Sequence, residues 1–107
     1  MDRLSKLLKF HREDPDDAFT RFSIAREYLK REEPEQALAY YEDLVEDHPD
    51  YVGTYYHLGK LYESLGRSDE AINTYEQGVK VARSQRAQKD LSELQDALLQ
   101  AKGVGFE

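Results

Sequence analysis

Cysteine is absent from all 107 residues, which removes disulfides, thiolate metal ligands and a cysteine nucleophile together. Positive charge is in short supply: 15 Lys and Arg stand against 22 Asp and Glu, a net charge of −7. That balance argues against non-specific binding to nucleic acid or to an anionic membrane, both of which need a basic face. No apolar run approaches the length that spans a bilayer. The first residues, "MDRLSKLLKFHRED", are charged from the second position and lack the apolar core of a signal peptide. A soluble, cytoplasmic protein is the expectation. Only three prolines and six glycines interrupt the chain, which leaves room for long helices. Apolar residues at 39 % are dense enough to predict folding despite 35 % charge, and the length suits one domain.

What is present is a repeat. The segment "DPDDAFTRFSIAREYLKREEPEQALAYYEDLVED" (14–47) aligns with "HPDYVGTYYHLGKLYESLGRSDEAINTYEQGVKV" (48–81) at an offset of 34. Pro15 falls on Pro49, Thr20 on Thr54, Tyr28 on Tyr62, Ala37 on Ala71 and Tyr41 on Tyr75. Ile24 pairs with Leu58, Ala25 with Gly59, and Phe22 with Tyr56. The matches sit on apolar stripes, which chance does not explain.

Each unit reads as two helices. Val52, Tyr55, Leu58, Gly59, Tyr62 and Leu65 recur at steps of three and four, one face of a helix. Asp50 stands where an N-cap is wanted, and Gly66 suits a left-handed C-terminal position. Ser68 is expected to cap the next helix, whose stripe is Ala71, Ile72, Tyr75, Val79 and Ala82. In the first unit Asp16 is the expected cap, and Pro34 opens the second helix. Gly59 is out of place, because a glycine inside a helix costs about 1 kcal/mol relative to Ala.

This pattern resembles the tetratricopeptide repeat, a 34-residue helix–turn–helix unit. The second unit supplies its packing motif as Tyr55, Leu58, Gly59, Tyr62, Ala71 and Tyr75, with Gly78 in place of a later Ala. The first supplies Ile24, Ala25, Tyr28, Ala37, Tyr41 and Pro49, with Leu44 at that Ala position; it departs at Arg21, where an aromatic belongs. The resemblance implies close packing of Gly59 against the partner helix near Ala71, where only a small side chain fits. It also implies an all-α fold of antiparallel helix–turn–helix repeats stacked in a short right-handed superhelix.

The flanks fit that scheme. Leu4, Leu7, Leu8 and Phe10 form the stripe of an N-terminal half repeat (1–13), ahead of repeats at 14–47 and 48–83. Ala87, Leu91, Leu94, Leu98 and Ala101 form the stripe of a capping helix at 86–102, with a polar outer face. About six helices in a single domain, 1–102, are expected, followed by a loose tail at 103–107.

Candidates for chemistry are thin. His11, His48 and His57 have no metal-pair spacing, and His11 and His48 read as solvated polar positions. The carboxylate pairs Glu32–Glu33, Asp16–Asp17 and Asp69–Glu70 fall at helix ends, where dipole and capping account for them. No catalytic, metal or cofactor site is assigned. The tyrosines Tyr28, Tyr41, Tyr55, Tyr62 and Tyr75 occupy packing positions, so a base-stacking platform is not inferred.

A protein surface remains. The resemblance implies a concave groove whose ligand-contacting positions are Phe19, Phe22, Ser23, Arg26, Leu29 and Lys30, then Gly53, Tyr56, His57, Lys60, Glu63 and Ser64. Phe19, Phe22, Arg26, Lys30, Tyr56, His57 and Lys60 are the expected binding residues, since aromatics and Arg dominate binding hot spots. A protein or peptide of acidic character is the expected partner. Two other readings stand beside it: Phe19 and Phe22 packed under the N-terminal helix, and self-association through the groove aromatics or the "VGFE" tail. Relatives that grip chaperone C-termini use a clamp whose positions here hold Phe22, Arg26, His57, Ala87 and Leu91, so the resemblance does not extend to that activity.

Overall fold

A computed structural model describes residues 1–103. They form six helices and no strand: α1 (Arg3–Glu13), α2 (Ala18–Lys30), α3 (Pro34–Asp47), α4 (Gly53–Ser64), α5 (Ser68–Gln85) and α6 (Gln88–Ala101). The chain divides into two compact units, Met1–Tyr51 and Val52–Glu107. The division falls close to the boundary between the two repeats.

In the first unit α2 packs between α1 and α3. The start of α1 meets the end of α2, where Arg31 Nη2 donates to Asp2 Oδ2 at 3.0 Å. The start of α2 meets the end of α3, where Arg21 Nη1 donates to Asp47 Oδ2 at 2.5 Å. Both pairs of helices are therefore antiparallel. Ile24, Ala25, Ala37, Tyr41 and Leu44 are sealed inside. Tyr28 stacks on Tyr40 with ring centres 5.9 Å apart, and His11 meets Tyr40 edge-on at 5.8 Å. His11 is half-buried rather than solvated, and Phe10 is 54 % exposed. The stripe of α1 thus runs Leu4, Leu7, Leu8, His11; a step of three from Leu8, not two, keeps a side chain on the same face. His48 Nε2 lies 3.1 Å from Asp16 Oδ1, so this histidine too has a partner. Pro49 is exposed just after α3.

In the second unit α4, α5 and α6 pack against one another. Tyr55, Leu58, Leu61, Tyr62, Ala71, Tyr75, Val79, Ala82, Leu94 and Ala97 form its core. Two glycines set the helix spacing. A methyl group on Gly59 would stand 2.6 Å from Tyr75 Cζ, and one on Gly78 would stand 2.6 Å from Tyr55 Cβ and 3.0 Å from Leu94 Cδ2. Gly59 is indeed a close-approach position, but its neighbour is the Tyr75 ring, one turn of α5 beyond the expected Ala71.

Helix ends follow the sequence less closely. Asp17, not Asp16, caps α2: its Oδ2 accepts from the Thr20 N–H at 2.9 Å and from Thr20 Oγ1 at 2.6 Å, bonds that lower its carboxyl pKa. Asp50 and Ser68 are not caps. The residue before α4 is Val52, and Ser68 lies inside the first turn of α5 behind Arg67. Arg67 instead grips Glu70 through two 2.6 Å bonds, which hold the Glu70 carboxyl below its ordinary pKa.

Both first helices of the repeats end alike. Gly66 adopts φ +74°; its N–H bonds Glu63 O at 3.0 Å, and the Arg67 N–H bonds Tyr62 O at 2.9 Å. This is the Schellman arrangement. Thirty-four residues earlier Glu32 adopts φ +59° with the same two bonds, to Leu29 O and Tyr28 O, both at 3.0 Å. Of the expected tail, residues 104–107 lie outside the described residues. Gly103, at φ +75°, closes α6 through Gln100 O at 3.0 Å.

Candidate functional site

Of the expected binding residues, all but His57 fall into two hollows, one in each unit. On α2, Phe19, Phe22, Ser23, Arg26, Glu27 and Lys30 recur at steps of three and four, so a single helix aligns them. With Arg3 of α1 they line a hollow of about 100 Å³. Phe19 is 63 % exposed, which dismisses its packing under α1. Phe22 is half-buried against Tyr41 and Tyr51, with ring centres 6.0 and 5.7 Å away, and shows its outer edge to the hollow. Arg26 lies over the Phe22 ring at 5.8 Å. One aromatic is thus anchored in the core while its neighbour one turn earlier is left in water.

The electrostatics of this hollow run against the chain as a whole. Three cations, Arg3, Arg26 and Lys30, face a single carboxylate, Glu27. Glu27 is itself engaged, 3.4 Å from Arg3 Nε and 4.0 Å from Lys30 Nζ. Lys30 is exposed, and Arg26 is exposed at its outer edge. A local excess of positive charge beside an exposed ring can take a carboxylate and an apolar side chain together.

The second hollow, about 210 Å³, lies between α4 and α6 and is lined by Tyr56, Lys60, Glu93, Asp96, Ala97 and Gln100. Lys60 Nζ stands 5.5 Å from the Tyr56 ring centre and 3.8 Å from Glu63. Glu63 also accepts the Tyr75 hydroxyl. Burial, reinforced by that carboxylate, pushes the Tyr75 phenol far above its ordinary pKa. His57 meets Tyr56 edge-on at 5.7 Å and does not line the hollow. Here the carboxylates outnumber the cation, so this hollow suits an incoming cation or apolar ring rather than an acid.

Of the remaining groove positions, Leu29 is half-buried, Gly53 opens α4, and the exposed Ser64 donates back to Leu61 O of its own helix at 2.7 Å. Sequence reasoning missed Arg3, Glu27, Glu93 and Asp96. A signal existed for the last two: Glu93, Asp96, Ala97 and Gln100 share a helical stripe, read as outward polar surface, that faces Tyr56 instead. Among the described residues no helix is long and apolar enough to cross a membrane, and no cluster of His, Asp and Glu is arranged to hold a metal ion.

A sequence model of the tetratricopeptide repeat family matches residues 22–87. The chain is similar to a tetratricopeptide repeat domain protein from Salinibacter ruber. Against its crystal structure the identity is 63 %, over 81 % of this chain and 97 % of that one, with a TM-score of 0.79. Against its solution structure the identity is 61 %, over 88 % and 95 %, with a TM-score of 0.81. The TPR2B domain of yeast Sti1, in a complex with pHsp70, shares the fold at a TM-score of 0.85 with 15 % identity, over 94 % of this chain and 80 % of that one. No curated protein matches the chain.

Proposed function

Because the chain belongs to the tetratricopeptide repeat family, generally a non-catalytic protein-interaction fold, we propose that it is an interaction module whose α1/α2 hollow binds an acidic peptide segment of a partner protein. The observation that carries this reading is the placement of Phe19, 63 % exposed, on the same stripe as Arg26 and Lys30. Phe19 and the edge of Phe22 take an apolar side chain, while Arg26, about two turns beyond Phe19, Lys30, about three turns beyond it, and Arg3 of α1 take carboxylates. A segment with acids flanking one large apolar residue fits this surface. Glu27 already balances part of the charge, so a lone carboxylate without the apolar anchor binds poorly.

The test is selection from a random peptide library displayed on phage, followed by fluorescence polarisation with the dilute protein. Selected peptides should be enriched in Asp and Glu around an apolar residue. Arg26→Glu should weaken them by about tenfold or more, the scale of one charge-assisted contact turned repulsive. Peptides without acidic enrichment, or held equally by the variant at equal helicity, would remove the reading.

A further inference from the structure

The two hollows are chemical complements. The first offers an exposed Phe19 ring beside Arg3, Arg26 and Lys30. The second offers an open pocket walled by Tyr56 and Ala97 and rimmed by Glu93 and Asp96. Among the described residues neither Glu93 nor Asp96 makes an ion pair within 4.0 Å with Lys60, which lines the same pocket and pairs with Glu63 instead. Just past that rim Leu99 is 48 % exposed, another large apolar side chain left in water. Exposed apolar groups of this size, beside an excess of positive charge in one unit and of negative charge in the second, are what a contact between unlike surfaces requires.

We propose that the α1/α2 hollow of one copy docks onto the α4/α6 hollow of a second copy of this chain. The inference rests on the reading of the α1/α2 hollow given above, and it names α6 as the carboxylate-bearing segment that the hollow receives. Phe19 enters the pocket against Tyr56 and Ala97, and Arg26 and Lys30 meet Glu93 and Asp96. Arg26 lies two turns beyond Phe19 on α2, about 10 Å along the axis. That reach suits a ring in the pocket and a guanidinium at its rim. Because the contact joins unlike surfaces, a joined pair keeps one free hollow of each kind, an α4/α6 hollow on the first copy and an α1/α2 hollow on the second.

Light scattering coupled to gel filtration, in about 0.15 M salt so that long-range repulsion is screened, tests this. Wild type should rise above its 12.5 kDa monomer mass with concentration. Two charge-reversed proteins, Arg26→Glu/Lys30→Glu and Glu93→Lys/Asp96→Lys, should each lose the association by at least tenfold while keeping their helical circular dichroism. Mixed in equal amounts they should associate again, since the second variant keeps the native hollow and the first the native rim, while the reversed hollow of the first also fits the reversed rim of the second. The second variant separates the contact from bulk charge: it moves the net charge of −7 toward zero and on that ground alone should associate more, not less. A wild type that stays monomeric up to about 1 mM, or a mixture no more associated than its components, would overturn the proposal. In that event acidic peptides still bound by dilute wild type and lost by Arg26→Glu would leave the peptide reading intact, and only the second copy would be struck out as the partner.

Discussion

Position 59 and position 32 show opposite accommodations of a single residue to its place. Gly59 sits in mid-helix, where Ala would be the better helix former, because the Tyr75 ring occupies the space of a methyl group. That ring is fully buried and its hydroxyl is tied to Glu63, so it has nowhere to swing. Gly59→Ala gains about 1 kcal/mol of helix propensity but overpacks the contact at about 1–3 kcal/mol. The expected result is a net loss of stability in urea titration; a variant more stable than wild type would mean that the ring yields. Glu32 is the reverse case. It holds the left-handed position that Gly66 fills in the second unit, with the same hydrogen bonds but with a Cβ that the conformation disfavours. Glu32→Gly should therefore raise stability by about 1 kcal/mol, and Gly66→Ala should lower it by a similar amount. No atom lies within 4 Å of a methyl group at position 66, so that loss is conformational and not a matter of packing.

At the scale of the elements, Arg21 explains how the first repeat dispenses with an aromatic at that position. Its Nε donates to Pro15 O at 2.9 Å and its Nη1 to Asp47 at 2.5 Å, so one side chain ties the approach to α2 to the end of α3. The guanidinium side chain is only 12 % exposed, so its stem packs while its fork bonds. Arg21→Ala should cost about 1–2 kcal/mol, the range of a charge-assisted hydrogen bond discounted for the half-exposed Asp47. Faster amide exchange at the C-terminus of α3 would localise the loss; an effect spread evenly over α1 would contradict the assignment. These elements also show what was legible in the sequence. The 34-residue period and the stripes placed all six helices, because apolar spacing reports directly on which face is buried. Caps were not legible in the same way: Asp16 and Asp17 are equally good capping residues, and only the backbone path to Thr20 decides between them. The hollows were half legible. Phe19, Arg26 and Lys30 share one helix, so their spacing brought them together; Arg3, Glu93 and Asp96 arrive from other helices, and no local pattern announces which polar face meets which partner.

The whole molecule seals an equivalent phenol in each unit, Tyr41 in the first and Tyr75 in the second, both with no exposed surface. Burial pushes Tyr41 up to about 12, and burial together with the Glu63 carboxylate drives Tyr75 further in the same direction. In the unfolded chain both phenols ionise near the ordinary value of about 10. A pKa raised on folding favours the native state fully below the unfolded value and loses that advantage as pH rises through the folded one. Stability should thus hold up to about pH 10 and fall between about pH 10 and 12, where unfolded chains shed protons that the folded protein retains. Tyr40 and Tyr51 are raised as well by their partial burial, so the total tyrosinate absorbance alone does not isolate the core pair. Difference titrations of wild type against Tyr41→Phe and against Tyr75→Phe do isolate them. Each difference signal should appear only as the helical circular dichroism collapses, and Tyr41→Phe should resist alkali longer than wild type because it removes one of the protons that drive unfolding. A Tyr41 signal emerging near pH 10 with the helices intact would show that the first unit opens without unfolding, and the buried phenol would then not be what limits its alkaline stability.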